Sequence, residues 1–290
     1  MKSDKGIIIS GAHGYIGGHC VRFFASLGYT VLALVSKVKE HDTGQISYLS
    51  YPDFFRAHAL PYACLLHCSW NGVTFEERQN EELQKENHIK SKKIIEHCKN
   101  NGINKIMVLG SQAEYGNYLG RVDEKQPLLP VDAYGVYKLK TLEYLRNNAE
   151  TMTWVWLRLF TIYGRCTSGK WFLEMVKSKL EKNELLEVTT CEQRVDYLHI
   201  DDLLRALQLV VQKTGSIQDV YNLSSNTSTT LKIITEKVKK LYGSESEIHY
   251  GAIAHRKGQV MHQEGNAEKF NNFFNFTTRL NWDNITQDLL

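Results

Sequence analysis

Tyr134 and Lys138 stand four residues apart within a stretch, 133–147, whose pattern predicts a helix. At that spacing the two side chains share one helix face. A phenol titrates near pH ~10 in water, too high for ready proton exchange at neutral pH. An ammonium beside it stabilises the phenolate and makes the tyrosine a usable acid or base. Tyr137 has Thr141 at the same spacing and lacks that partner. Ser111 follows a strand-like run, 105–109, in the string Leu109-Gly110-Ser111-Gln112-Ala113-Glu114-Tyr115-Gly116. A hydroxyl at the carboxyl end of a parallel strand lies where such sheets place ligands. From there it can hydrogen bond a reacting oxygen and turn it toward Tyr134. Each feature alone has a bland explanation, a surface pair or a serine ending a strand. Their order along the chain favours a Ser–Tyr–Lys catalytic set.

A second kind of chemistry is written at the start of the chain. In Ser10-Gly11-Ala12-His13-Gly14-Tyr15-Ile16-Gly17 the glycines follow a strand and open a helix. Gly11 permits a tight turn, Gly14 lets backbone approach a pyrophosphate, and Gly17 permits close packing of helix on sheet. The helix start offers N–H groups and a favourable dipole to phosphates. The expected cofactor contacts are therefore Gly11, His13, Gly14, Tyr15, Ile16 and Gly17. An acid at the end of the second strand would favour NAD through the ribose 2′-hydroxyl. That place reads Leu34-Val35-Ser36-Lys37, without a carboxylate. Ser36 and Lys37 suit a 2′-phosphate instead, so NADPH is expected, with NADH or NAD as the alternative.

The elements that must hold these residues alternate. Strand signals at 7–10, 30–35, 64–67, 105–109 and 154–159 are separated by helical patterns at 15–27, 76–100 and 133–147. One short edge element is expected between the second and third strands. Such alternation predicts an α/β fold, a Rossmann-type doubly wound parallel sheet. Beyond residue 164 the pattern is mixed, with helices near 171–181, 201–212 and 231–242. The expected division is a dinucleotide-binding domain over 1–164 and a smaller mixed substrate lobe over 165–290, with some segments interleaved with the sheet.

Bulk properties exclude several classes. A net charge of +3, evenly spread, argues against nucleic acid or membrane surface as partner. No apolar run approaches a membrane span, and with Met1 to Lys5 leading straight into the first strand no signal peptide is expected. Cytoplasm is the expected location. Six cysteines (Cys20, Cys64, Cys68, Cys98, Cys166 and Cys191) show no disulfide or zinc rhythm. Cys64-Leu-Leu-His-Cys68 lies in a strand-like run and reads as core packing; no metal is expected.

Together these motifs resemble the extended short-chain dehydrogenases/reductases, in the nucleotide-sugar epimerase/dehydratase group. The likeness extends to Leu65-Leu-His-Cys-Ser-Trp70, Glu86-Asn87, Leu157-Arg-Leu-Phe-Thr-Ile-Tyr-Gly164, Gln193-Arg-Val-Asp-Tyr-Leu-His-Ile-Asp-Asp202, Tyr221-Asn-Leu-Ser224 and Leu280-Asn-Trp282. The resemblance implies a cofactor held by the glycines and Lys138, a catalytic Tyr134, and a nucleotide-diphosphate sugar bound by the carboxyl-terminal lobe. Trp70, Gln112, Thr161, Arg194 and Arg256 are the substrate contacts it suggests, and helices 76–100 and 133–147 are the pair through which a homodimer is expected. Two departures stand out. Thr161 replaces a common Asn, and Val195 stands where the family often has a diphosphate-binding Arg. Arg194 precedes it by one residue, and a one-residue shift on a strand turns a side chain to the other face. Arg256 is the substitute.

Family dehydratases carry Asp-Glu after the serine or threonine; Gln112-Ala113 stand there and exclude that acid–base chemistry. The remaining choices are ketone reduction and 4-epimerisation, with a non-catalytic NADPH-binding or partner-binding module as a third class. The Ser111–Gly116 string and Gly251-Ala-Ile-Ala-His-Arg256 are similar to reductases of deoxysugar nucleotides, such as CDP-abequose synthase. With no ribose acid, the expected reaction is NADPH-dependent reduction of the C4 ketone of a nucleotide-linked 4-keto-6-deoxyhexose. An NAD-dependent 4-epimerase is the alternative.

Overall fold

Ile7, Ile8 and Ile9 are fully buried in the first strand, as a strand covered on both faces requires. The computed structural model describes residues 3–165, 171–256 and 259–290; Cys166 lies outside the described residues. Two compact units interleave along the chain. The first comprises the chain to Gly116 with Pro127–Arg158 and Leu204–Tyr221. Its strands are β1 (Ser3–Ser10), β2 (Thr30–Val35), β3 (Ile46–Ser50), β4 (Tyr62–His67), β5 (Lys105–Ser111), β7 (Thr153–Leu159) and β11 (Gln218–Leu223), numbered in chain order. They form one sheet in the order β11-β7-β5-β4-β1-β2-β3. The pairings from β5 across to β3 are parallel.

The strand order reverses beside β1, which has β2 on one side and β4 on the other. A doubly wound sheet opens its ligand crevice at the carboxyl ends of the strands at such a reversal. Here those ends are Ser10 and His67, which are register partners. The helices are α1 (Tyr15–Ser26), α2 (Tyr51–Phe54), α3 (Phe75–Gln79), α4 (Glu81–Asn100) and α5 (Ala133–Asn148). Ile94 and Ile95 of α4 and Leu142 and Leu145 of α5 pack with Ile8, Leu65, Ile106 and Trp156 in one buried cluster.

The helix expected over 76–100 is two helices. Thr74 and Glu77 form a reciprocal capping box that starts α3. Asn80 then leaves helical geometry with ψ 98 and accepts a hydrogen bond from Leu83 N, starting α4 afresh. Asparagine competes with helical backbone in this way, and the apolar period continues across the break and conceals it.

The second unit comprises Asn117–Gln126, Leu159–Leu203 and Asn222–Leu290. It contains β6 (Gly120–Val122), β8 (Thr161–Tyr163), α6 (Phe172–Glu181), β9 (Leu186–Val188), β10 (Arg194–His199), β12 (Ser228–Thr230), α8 (Leu231–Tyr242), β13 (Ile248–Tyr250), β14 (His262–Gly265) and α9 (Glu268–Phe274). Helix α7 (Ile200–Gln212) runs from it into the first unit. Its main sheet is mixed, with β10 antiparallel to β12 and parallel to β14 and β8. Tyr163 stacks on Trp282 at 4.7 Å above a core of Val176, Leu180, Ile234 and Val238. Among the described residues no helix is long and apolar enough to cross a membrane.

Candidate active site

Tyr134 lies in the first turn of α5, whose start is fixed by Asp132 accepting from Gly135 N at 2.8 Å. Gly135 matters for another reason. A Cβ there would stand 2.5 Å from the Ala113 carbonyl oxygen, so glycine lets α5 close onto the turn after β5. That closure brings Tyr134 close to Ser111, whose hydroxyl favours the ionised phenol. Burial pushes the Tyr134 phenol up. The Ser111 hydroxyl and the Arg78 charge pull it down, and Glu114 and Asp132 push it up again.

Ser111 is held from below. Its N–H donates to Glu114 Oε1 at 2.8 Å, and its hydroxyl oxygen accepts from Ala113 N at 3.1 Å. Glu114 is fully buried. It also accepts from Trp156 Nε1 at 2.9 Å and from Arg158 Nε at 2.7 Å, and Arg158 donates onward to the Tyr115 hydroxyl at 3.0 Å. A carboxylate so engaged braces the serine and has no role as a free acid.

Lys138 is buried, with Nζ donating to the Leu109 carbonyl at 2.7 Å. Its Nζ lies 5.7 Å from the Tyr134 ring centre and 4.0 Å from that of Trp70. Burial pushes the ammonium down to about 7, against the opposing pull of Glu114 and Cys68. Trp70 meets Tyr134 edge to face at 6.0 Å and is anchored by Nε1 donating to Gln84 at 2.7 Å. Gln112 begins the turn between Ser111 and Tyr115. Ser111, Gln112, Trp70, Tyr134 and Lys138 thus gather at the carboxyl ends of the interior strands β4 and β5.

The glycine turn fits a dinucleotide. Gly11 has φ +72, and a Cβ on Gly17 would stand 2.1 Å from the Gly11 carbonyl oxygen, so helix and turn touch only because both are glycine. Helix α1, carrying Tyr15 and Ile16, starts at Gly14 without a side-chain cap or an acid in its first turn. Such a start suits a pyrophosphate. The Tyr51 hydroxyl accepts from Gly11 N at 3.0 Å and pins the turn. Ser36 and Lys37 follow β2 as exposed residues. What the sequence reading missed is Glu40, whose carboxylate reaches back to His13 Nε2 at 2.7 Å. An acid does face the glycine turn, from beyond the usual position.

At the end of β4, His67 is buried between two serines. Ser91 donates its hydroxyl proton to the Asn87 carbonyl at 2.8 Å, so it accepts from His67 Nε2 at 2.9 Å. Nδ1 therefore accepts from the Ser10 hydroxyl at 2.7 Å. Burial, with Lys138 and Lys90 nearby, pushes the imidazole down to about 3. The neutral ring ties the carboxyl ends of β1 and β4 together. Cys64 is packed in β4 as core.

Thr161, Arg194 and Arg256 belong to the second unit. Thr161 pairs with Tyr197 in register. Val195 packs on the core of its unit, while the Arg194 guanidinium donates to the Ser228 carbonyl at 2.6 Å. The one-residue shift has turned Arg194 to the face opposite Val195. Arg256 is exposed.

The family model for the NAD dependent epimerase/dehydratase family matches residues 7–224. A curated relative, dTDP-6-deoxy-L-talose 4-dehydrogenase (NAD(+)) of Aggregatibacter actinomycetemcomitans, is 26% identical over 243 residues, covering 80% of this chain and 88% of the relative. MoeE5 in complex with UDP-glucuronic acid and NAD superposes with a TM-score of 0.85 at 21% identity, covering 95% of this chain and 94% of that one. UDP-glucose 4-epimerase of Thermotoga maritima with UDP-glucose gives 0.86 at 19% identity, over the same shares. At such identities the structures establish the shared fold.

These findings correct two expectations. NADPH is not the cofactor these proteins are named with: the dehydrogenase uses NAD(+) and MoeE5 holds NAD. Reduction of a 4-keto-6-deoxyhexose gives way to the 4-epimerase alternative, represented by a protein alike over nearly the whole chain. The physical reason lies at the turn. Residues 34–37 hold no acid, but Glu40 just beyond them meets His13 of the glycine turn at 2.7 Å.

Proposed function

The chain belongs to the NAD dependent epimerase/dehydratase family, and on that premise we propose that it is an NAD-dependent 4-epimerase of a nucleotide-diphosphate hexose, with a UDP-hexose as the favoured class. The observation that carries this reading is Tyr134, set close to Ser111 and Lys138 beyond the carboxyl end of β5. The chemistry that bound NAD would supply is reversible hydride exchange with C4 of the hexose. Tyr134 removes the O4 proton as C4 is oxidised and gives it back as C4 is reduced. Ser111 orients O4 by hydrogen bonding, braced by the buried Glu114. Lys138 supplies positive charge close to the phenolate and would hold the cofactor's ribose. Gly11, Gly14 and Gly17, with Tyr15 and Ile16, hold the pyrophosphate at the start of α1. Dehydration has no acid–base pair to run it, because Gln112 and Ala113 follow Ser111 and Glu114 is committed to Arg158.

Glu40 supports NAD over NADP. A carboxylate beside the glycine turn can accept from ribose hydroxyls and repels a 2′-phosphate. Trp70, Gln112, Thr161, Arg194 and Arg256 remain the proposed sugar and diphosphate contacts, and a homodimer through α4 and α5 the proposed assembly. The test is the cofactor that the purified protein carries, released by denaturation and identified by mass. NAD is expected; NADP would contradict the reading. The Tyr134→Phe variant should keep the NAD and lose turnover by about a hundredfold or more.

A further inference from the structure

Arg78 had no place in the sequence reading, yet its guanidinium carbon lies 4.9 Å from the Tyr134 ring centre. It sits on α3, the five-residue helix set off by the break at Asn80. Two nitrogens fix it: Nε at 2.7 Å and Nη2 at 2.6 Å, both on Asp132 Oδ2. The other oxygen of Asp132 caps α5. One buried carboxylate therefore starts the helix that carries Tyr134 and Lys138 and also aims a cation at the Tyr134 ring.

The charged groups facing the phenol are Lys138 on α5, Arg78 on α3, Asp132 at the start of α5, and Glu114 on the turn after β5. The two acids oppose a phenolate and the two cations favour it. A guanidinium stays charged throughout the working range.

We propose that Arg78 is a positioning residue for proton transfer: clamped by Asp132 over the Tyr134 ring, it keeps a permanent positive charge beside the phenol and favours its ionised form. The proposal rests on Tyr134 being the proton-transfer group of the reaction above.

Fluorotyrosine incorporated into the full chain, with the Tyr134 signal assigned by its loss in Tyr134→Phe, reports the titration of this one phenol by fluorine NMR. Arg78→Gln keeps a donor for Asp132 and removes the charge; Arg78→Lys keeps the charge. The Gln variant should titrate roughly one pH unit higher, the low end for a nearby charge because Arg78 is partly solvated. The Lys variant should recover most of that shift. The acidic limb of kcat for hexose epimerisation should move with the phenol. Equal titration in wild type and Arg78→Gln would overturn the proposal and reduce Arg78 to a clamp on the α5 cap. The titration uses no substrate, so a protein inert toward every UDP-hexose would sink the epimerase reading without touching this result.

Discussion

At the scale of single residues, the site is governed by buried polar groups that leave little room for substitution. Glu114 and Arg158 are both almost wholly inaccessible, and the pair is 2.7 Å apart. Replacing Glu114 with Gln strands the guanidinium without a counter-charge, a change that costs about 3–5 kcal/mol when a buried pair is broken. Urea unfolding reads this directly, and a loss below about 1 kcal/mol would contradict the assigned bracing role. His67 makes a second prediction. Its unfolded form takes up a proton near 6.5, whereas the folded form refuses it until about 3. Folding stability tied to His67 is therefore complete above pH 6.5 and is lost as pH falls toward 3. Thermal unfolding of wild type and His67→Asn across that window should show a steeper acid decline for wild type; parallel curves would refute it. Ser111, Tyr134 and Lys138 were legible because strand ends and helical spacing are local patterns. Arg78 and Glu40 were not. Each meets a side chain of a separate segment, Arg78 that of Tyr134 and Glu40 that of His13, and no periodicity announces such a meeting.

At the scale of elements, the glycine turn and α1 act as one piece. Gly17→Ala would drive a Cβ into the Gly11 carbonyl at 2.1 Å, with backbone on both sides and nothing flexible to yield. Overpacking of this kind costs about 1–3 kcal/mol, and it moves the start of α1 away from the turn. Calorimetric titration should show weakened NAD binding together with a lowered unfolding temperature; unchanged NAD affinity would remove the turn from the cofactor site. The strands of the first sheet were legible as uninterrupted apolar runs such as Ile7 to Ile9. The break between α3 and α4 was hidden because Asn80 interrupts hydrogen bonding without interrupting the apolar period. Its cue was present in the sequence: Thr74 and Glu77 carry the spacing of a capping box, and Asn80 that of a second cap.

At the scale of the whole molecule, alternation of strand and helix announces a parallel sheet, and the strand order reverses beside β1, where the carboxyl ends Ser10 and His67 meet. The reaction was harder to read. Reductases and epimerases share the catalytic set, and they differ in whether the nicotinamide cofactor exchanges or stays. Residues 34–37 pointed one way, while the carboxylate that reaches His13 from Glu40 and the NAD-linked relatives point the other. An epimerase returns to C4 the same hydrogen it removed, with no net change in cofactor. UDP-glucose deuterated at C4, incubated with the purified protein and no added nucleotide cofactor, tests that claim most directly. The account predicts UDP-galactose with the deuterium still at C4 and no change in nicotinamide absorbance. Unaltered UDP-hexoses, alongside consumption of added NADPH by a 4-keto sugar nucleotide, would contradict it.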